Sequence, residues 1–233
     1  MEQKWKWCLV YVAMTVMVLS MVGVTCRTVT VMSENRMKER RAVILIDPGH
    51  GGEDGGAVSV TGRAESVYNL EISKRLRDLL RLLGYETRMT RDSDISIYTK
   101  GETLAQKKVS DLKERVRIIN STDNVLLLSI HQNFFPEERF SGPQVFYGES
   151  QGSEKMAKHL QELLVTELDP DSHRSAKRSS GVYLMEHIIC PGVLIECGFL
   201  SNYQEEAALR DSTYQKKLSA VIAVGTCQYL SNT

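Results

Sequence analysis

Three apolar runs in this chain of 233 residues each end on a side chain that can bind a metal or carry a proton. AVILIDPGHGG leads to His50, VLLLSIHQN to His131 and GVLIECGF to Glu196. If these runs are parallel strands, their carboxyl ends share one rim, and His50 and His131, 81 positions apart, can meet there. Glu65, just before a long helical pattern and close to the loop that leaves the first run, can reach the same rim. Two imidazoles and one carboxylate form the three-ligand set of a catalytic zinc, which keeps a fourth position for water and lowers the pKa of that water. Hydrolysis also needs a proton carrier that is not a ligand, and Glu196 fits that role.

Each residue also has a plainer reading. A histidine after a strand is ordinarily a hydrogen-bonded core or surface residue, and a glutamate near a helix start simply complements the helix dipole. Glu196 is the hardest to explain away, because a carboxylate closing the apolar run VLI is costly unless partnered. Gly49, Gly51, Gly52, Gly55 and Gly56 resemble a phosphate-cradling loop, but the Gly-Lys-Ser/Thr of a P-loop is missing. They are better read as letting the backbone turn tightly around a ligand. His159, His173 and His187 sit in polar or helical settings and are read as structural.

The elements that must position these residues begin near Ala42. The pattern predicts a strand at Ala42–Ile46, a helix from about Ser66 to Leu83 with Gly84 as its C-cap, and a strand at Tyr85–Thr90. It then predicts a helix over Leu112–Asn120, a strand over Val125–Ile130 and a strand over Gln144–Tyr147. A helix over Ser153–Leu168, a strand over Val193–Cys197 and a closing helix over Thr213–Tyr229 complete the order. Strands apolar on both faces that alternate with helices imply an α/β fold, with a mainly parallel sheet covered on both sides.

Ahead of that domain, Lys4 and Lys6 lie in a short basic segment, residues 1–7, and precede the almost charge-free run Cys8–Cys26 of 19 residues. A helix of that length can just cross a bilayer core, and no clean cleavage site follows, so the run reads as an uncleaved signal-anchor. Basic residues on both flanks leave its orientation open. Residues 27–41 read as a polar linker and 42–233 as the catalytic domain. Lys+Arg and Asp+Glu both total 29, so no basic surplus argues for nucleic acid as a partner. The five cysteines, Cys8, Cys26, Cys190, Cys197 and Cys227, are too irregularly placed for a disulfide framework and read as free thiols.

The run IDPGHGGEDGGAV, the element Glu65-x-x-x-Asn69-Leu70, LLSIHQN and VLIECGFLSN occur in this order and resemble the zinc-dependent N-acetylmuramoyl-L-alanine amidases of the amidase-3 family. The resemblance extends over residues 42 to 230 and implies a three-layer α/β/α fold around a mixed six-stranded sheet. It places zinc ligation on His50, Glu65 and His131 and the catalytic role on Glu196. Asn133 and Arg115 are candidate substrate contacts, with a buried salt bridge the open alternative for Arg115. The N-terminal anchor, the stretch Thr99–Asn120, SGPQVFYGE and GVYLMEHIICPGVLIECGFLSN bring the chain nearest to the sporulation-specific cortex amidases of Gram-positive spore formers. That branch implies peptidoglycan as substrate, action outside the cytoplasm between the mother-cell and forespore membranes, an activating lipoprotein and a downstream deacetylase that forms muramic-δ-lactam. Phe134 and Cys197 depart from the family pattern without touching a ligand. Two other readings remain: a cysteine amidohydrolase built on Cys197 or Cys190, and a non-catalytic wall-binding protein.

Overall fold

Strand β1 (Val43–Pro48) is buried along its whole length, because parallel neighbours pair with it on both sides. Those neighbours are β2 (Thr87–Met89) and β3 (Val125–Asn133), and β3 pairs in parallel with β6 (Gly192–Phe199) on its other edge. Strand β4 (Gln144–Tyr147) runs antiparallel to β6, and β5 (Lys177–Arg178) lies parallel to β4 at the edge. The sheet therefore has six strands in the order β2-β1-β3-β6-β4-β5 and is mixed. The expectation of a mainly parallel, six-stranded mixed sheet holds, with β4 and β5 both running against the other four strands.

The two faces of the sheet bury separate apolar clusters. Ile44, Ile46, Leu128, Ile130, Val193 and Ile195 point to one of them. It is completed by α1 (Glu65–Leu82), α3 (Ser153–Leu168) and α6 (Ser212–Ser231). Leu45, Leu127 and Leu194 point to the other, which is closed by α2 (Leu104–Asn120) and the short α4 (Tyr183–His187). Alternate residues of each strand thus feed opposite layers, as the two-residue period of a strand requires.

Local signals set the helix ends. Helix α1 stops in a Schellman arrangement: Gly84 (φ 88°) donates to the Arg81 carbonyl at 2.9 Å and Tyr85 to the Leu80 carbonyl at 3.0 Å. Helix α2 begins eight residues earlier than the apolar pattern suggested, at Leu104 rather than Leu112. The reason is a reciprocal capping box between Thr103 and Gln106, which starts a helix whose first two turns are mostly polar. Strand β3 also runs on beyond Ile130 to Asn133, held there by β6 after its pairing with β1 ends at Ile130. Three short elements escaped the sequence pattern: β5, α4 and α5 (Tyr203–Arg210), the last capped by the Asn202 side chain.

This computed structural model describes residues 14–17, 20–21 and 42–232. The expected anchor at 8–26 therefore lies largely outside the described residues, as do the 1–7 segment and the 27–41 linker; residues 14–17 and 20–21 are helical. Among the described residues no helix is long and apolar enough to cross a membrane. Residues Arg41–Thr233 form one compact unit. Cys190 and Cys197 are free thiols, and Cys8 and Cys26 lie outside the described residues.

Candidate metal centre

His50 follows β1, Glu65 opens α1, and His131 and Glu196 lie opposite each other in the β3–β6 ladder. The parallel register therefore brings residues from three distant parts of the sequence to one rim. One ligand atom each from His50, Glu65 and His131 can be chosen so that all three lie within 4.8 Å of one another. Glu65 Oε2 is 3.3 Å from His50 Nε2, and Glu65 Oε1 is 3.0 Å from His131 Nδ1. The two contacts use different oxygens of the Glu65 carboxylate, and a donor set of two imidazoles and one carboxylate gathered this closely could hold one small divalent ion of the kind that takes N and O ligands at ~2.0–2.2 Å.

The loop that carries His50 folds this way only because two of its residues lack a side chain. A Cβ on Gly49 would lie 2.1 Å from the His131 ring, and one on Gly56 (φ 72°) would lie 2.5 Å from Glu65 Oε2. His50 itself takes a left-handed conformation, φ 60°, which costs a non-glycine residue energy that the surrounding contacts must offset. Those contacts are numerous. Arg91 donates to the carbonyls of Pro48, Gly49 and Ser66 at 3.0 Å each, and Asn69 Nδ2 donates to the Gly49 carbonyl at 3.1 Å. Arg115 Nη2 donates to the His50 carbonyl at 2.7 Å.

Glu65 is 4% exposed and heavily engaged. It accepts from the Ala57 amide at 3.0 Å, the Gln132 amide at 3.2 Å and Asn69 Nδ2 at 3.1 Å, besides the two imidazoles. Burial alone would raise its pKa, but hydrogen bonds to His131 and His50 outweigh that and hold the carboxyl well below the usual range. Asp54 Oδ2 accepts from His50 Nδ1 at 2.9 Å, which aims Nε2 at Glu65, and Lys108 of α2 holds the other Asp54 oxygen at 2.8 Å. A carboxylate behind a ligating histidine fixes both its tautomer and its ring orientation.

Glu196 has the opposite character. Burial pushes its carboxyl up to about 7, and the nearby Glu65 charge adds to this against the counter-pull of His131 and His50. Its Oε2 is buried and has no hydrogen-bond partner among the described residues. A buried carboxyl beside a ligand cluster, poised near neutrality and unpartnered, suits a group that accepts and returns a proton.

Of the remaining candidates, Asn133 ends β3 beyond a register shift, and its side chain bonds to no described residue. Arg115 is 2% exposed and spends its guanidinium internally, on Asp47 at 2.5 Å, Asp111 at 2.5 Å and the carbonyls of Pro48 and His50. Of its two readings, the geometry therefore corresponds to the buried salt bridge. None of His159, His173 and His187 joins the cluster; His159 bonds Gln228 and His187 bonds the Tyr183 carbonyl. Burial raises both candidate thiols, Cys190 up to about 11 and Cys197 higher still, which removes them as ready nucleophiles. Asp54 was missed, although it stands four residues after His50 in the glycine-rich run. Asp47 and Lys108 were missed as well, because only the packing of α2 reveals them.

Residues 44–228 match the N-acetylmuramoyl-L-alanine amidase family, Amidase_3. The chain belongs to this family. Among its relatives, the germination-specific N-acetylmuramoyl-L-alanine amidase of Bacillus subtilis (strain 168) is 41% identical over 192 residues, covering 81% of this chain and 80% of the relative. The CwlD amidase of Clostridioides difficile, solved in complex with the GerS lipoprotein, superimposes with a TM-score of 0.79 at 37% identity, covering 82% of this chain and all of that one. An N-acetylmuramoyl-L-alanine amidase from Clostridium difficile 630 gives a TM-score of 0.71 at 28% identity over 81% of this chain and 96% of its own. The four motifs that carry the resemblance are thus borne by a family member in which His50, Glu65 and His131 converge with Glu196 beside them.

Proposed function

We propose that this family member hydrolyses the amide bond between N-acetylmuramic acid and L-alanine in peptidoglycan, with one zinc ion held by His50, Glu65 and His131. The observation that carries the reading is the convergence of those three ligands beside an unpartnered, buried Glu196. Bound there, a zinc ion supplies Lewis acidity: it polarises a carbonyl and acidifies a water. Asp54 keeps the His50 ring turned for ligation, and Asn69 ties Glu65 to the loop that carries His50. Glu196 takes a proton from the attacking water as the new C–O bond forms at the lactyl carbonyl. It then delivers that proton to the L-alanine nitrogen as the C–N bond breaks, leaving a carboxyl on the sugar and a free amine on the peptide.

The sporulation setting rests on the germination-specific relative and the CwlD amidase. In it the reaction strips stem peptides from cortex peptidoglycan, so that a downstream deacetylase can form muramic-δ-lactam. The catalytic domain then works outside the cytoplasm, tethered through residues 8–26, with a lipoprotein partner of the kind seen with the CwlD amidase. Asn133, at the rim and unengaged, is the substrate contact we retain.

The test is mass spectrometry of products released from peptidoglycan by the protein with measured zinc content, before and after chelation. Release of peptides with a free L-alanine amine, lost on chelation and restored by zinc, is the expected result. Full activity after complete metal removal would refute the zinc reading, and inactivation by thiol alkylation without metal loss would move the chemistry to a cysteine.

A further inference from the structure

A basic depression lies on the same rim, one strand beyond Glu196. Gln144, the first residue of β4, is the ladder partner of Glu196, and the segments before β4 and before β5 wall a depression of about 390 Å³. Three of its lining side chains are cationic, Arg139, Arg174 and Lys177, and His173 adds an imidazole. Phe140 supplies an apolar wall, with the Arg139 guanidinium 5.1 Å from its ring centre.

Arg174 is built in rather than loose. Its Nε donates to the Ser141 carbonyl at 2.7 Å, its Nη1 to Gln144 Oε1 at 3.3 Å, and its guanidinium lies 4.9 Å from the centre of the Phe199 ring. These hydrogen-bond partners are all neutral, and the acids that face the Arg174 charge are Glu205, whose carboxyl it pulls down against the rise that burial causes, and Asp169 beside Gly142. No salt bridge joins Arg174 or Lys177 to an acid among the described residues. Of the nearby acids, Glu137 pairs with Arg139 at 2.7 Å and so offsets that one guanidinium, Glu205 accepts from the amides of Gly142 and Phe199 at 2.7 Å each, and Asp169 lies beside Gly142.

On the reading under Proposed function, the charge of the substrate says what belongs here. The glycan is neutral, because the lactyl carboxyl of N-acetylmuramic acid is tied up in the amide to be cut. Its fixed negative charges are the carboxylates of the stem peptide, beginning at the second residue. Phe199 lies three residues past Glu196, roughly 10 Å along the strand, which is the reach of about three extended peptide residues. We infer that the Arg139–His173–Arg174–Lys177 depression is a subsite for the stem-peptide carboxylates, and that it sets the direction in which the peptide leaves the cleavage point. The peptide then crosses β6 towards β4 and β5, and the sugar lies on the other side of the metal centre.

The experiment compares two soluble muropeptides, each a disaccharide with an L-alanine-initiated tripeptide. In one the carboxylate of the second residue is free, and in the other it is amidated. The wild-type protein should show the lower KM for the free carboxylate. The double variant Arg139→Gln/Lys177→Gln should raise that KM about tenfold, the scale of a lost charge-assisted contact, and abolish the difference between the two stems. Arg174→Lys, which keeps the charge but loses the fork, should show a smaller loss. Retention of the full carboxylate preference by the double variant, with its thermal midpoint unchanged, overturns the subsite. The same comparison is made by calorimetric binding to Glu196→Gln protein, so the subsite is judged even if no turnover is seen. Absence of cleavage of both muropeptides by the zinc-loaded wild type would sink the proposed activity instead.

Discussion

Arg115 and Asp47 form a buried ion pair, 2.5 Å between Nη1 and Oδ1, that ties helix α2 to the strand delivering His50. The same guanidinium reaches the Pro48 and His50 carbonyls, and Asp47 is held further by Thr90 at 2.6 Å and Ser129 at 3.0 Å. The pair is part of a brace: Lys107 and Lys108 of α2 grip Glu53 and Asp54 of the same loop. Helix α2 therefore acts as a splint along the loop that carries the first imidazole.

Arg115→Ala leaves Asp47 buried without its cation and strips two carbonyl contacts from the loop. Loss of one partner of a buried pair costs about 3–5 kcal/mol. Urea unfolding should record a drop of that order, with weaker zinc retention. A loss under about 1 kcal/mol would mean that water replaces the guanidinium and the splint is unimportant.

The same pair predicts an acid limb of stability. Burial would raise the Asp47 carboxyl, but Arg115, Thr90 and His131 outweigh it and hold the folded pKa below the ordinary value of 3.8. Because the folded pKa is the lower one, the stabilisation is complete above the unfolded value and fades as pH falls through 3.8 towards the folded value. Denaturation midpoints measured downwards from pH ~6 should fall along this limb. Asp47→Asn should flatten it while lowering stability at neutral pH. An unchanged slope in that variant would assign the limb to other carboxyls.

Glu196→Gln keeps the shape of the side chain and removes its ability to take a proton. Zinc content should match the wild type, while kcat falls by roughly 10²–10⁴, the usual contribution of a general acid/base. A fall of less than about threefold, against that range, would remove Glu196 from the chemistry. Loss of metal together with activity would instead make it a fourth ligand.

Gly49→Ala tests whether the loop must approach the second imidazole so closely. The added methyl would overlap the His131 ring at 2.1 Å, so either the ring or the strand end has to shift. Overpacking of this kind costs about 1–3 kcal/mol, and the displaced imidazole should lower zinc affinity in a competition titration with a chromophoric chelator. Wild-type affinity in a folded Gly49→Ala protein would show that the ring has room to move.

The candidate site was legible because each strand that leads to a proposed ligand or to Glu196 is a continuous apolar run closed by a polar residue. Such runs fix both the burial of the strand and the rim at which its last side chain emerges. Glu65 was legible only through its place ahead of a helix. What the sequence concealed depends on packing: Asp54 gains its role from the turn of His50, and Arg115 from the lie of α2. The start of α2 was misplaced because its first two turns carry little apolar periodicity, and the Thr103–Gln106 box does the work instead. The direction of β4 left no trace in a four-residue run, since a short buried strand reads the same in either orientation.

The reversal of β4 separates inheritance from novelty in this scaffold. Residues 134–143 and 169–176 lead into β4 and β5, and neither belongs to β1, β3 or β6. Either segment can lengthen, shorten or change its charge while the strands bearing His50, His131 and Glu196 keep their mutual alignment. Descendants of such a chain can thus diversify what they grasp without rebuilding the apparatus that cuts.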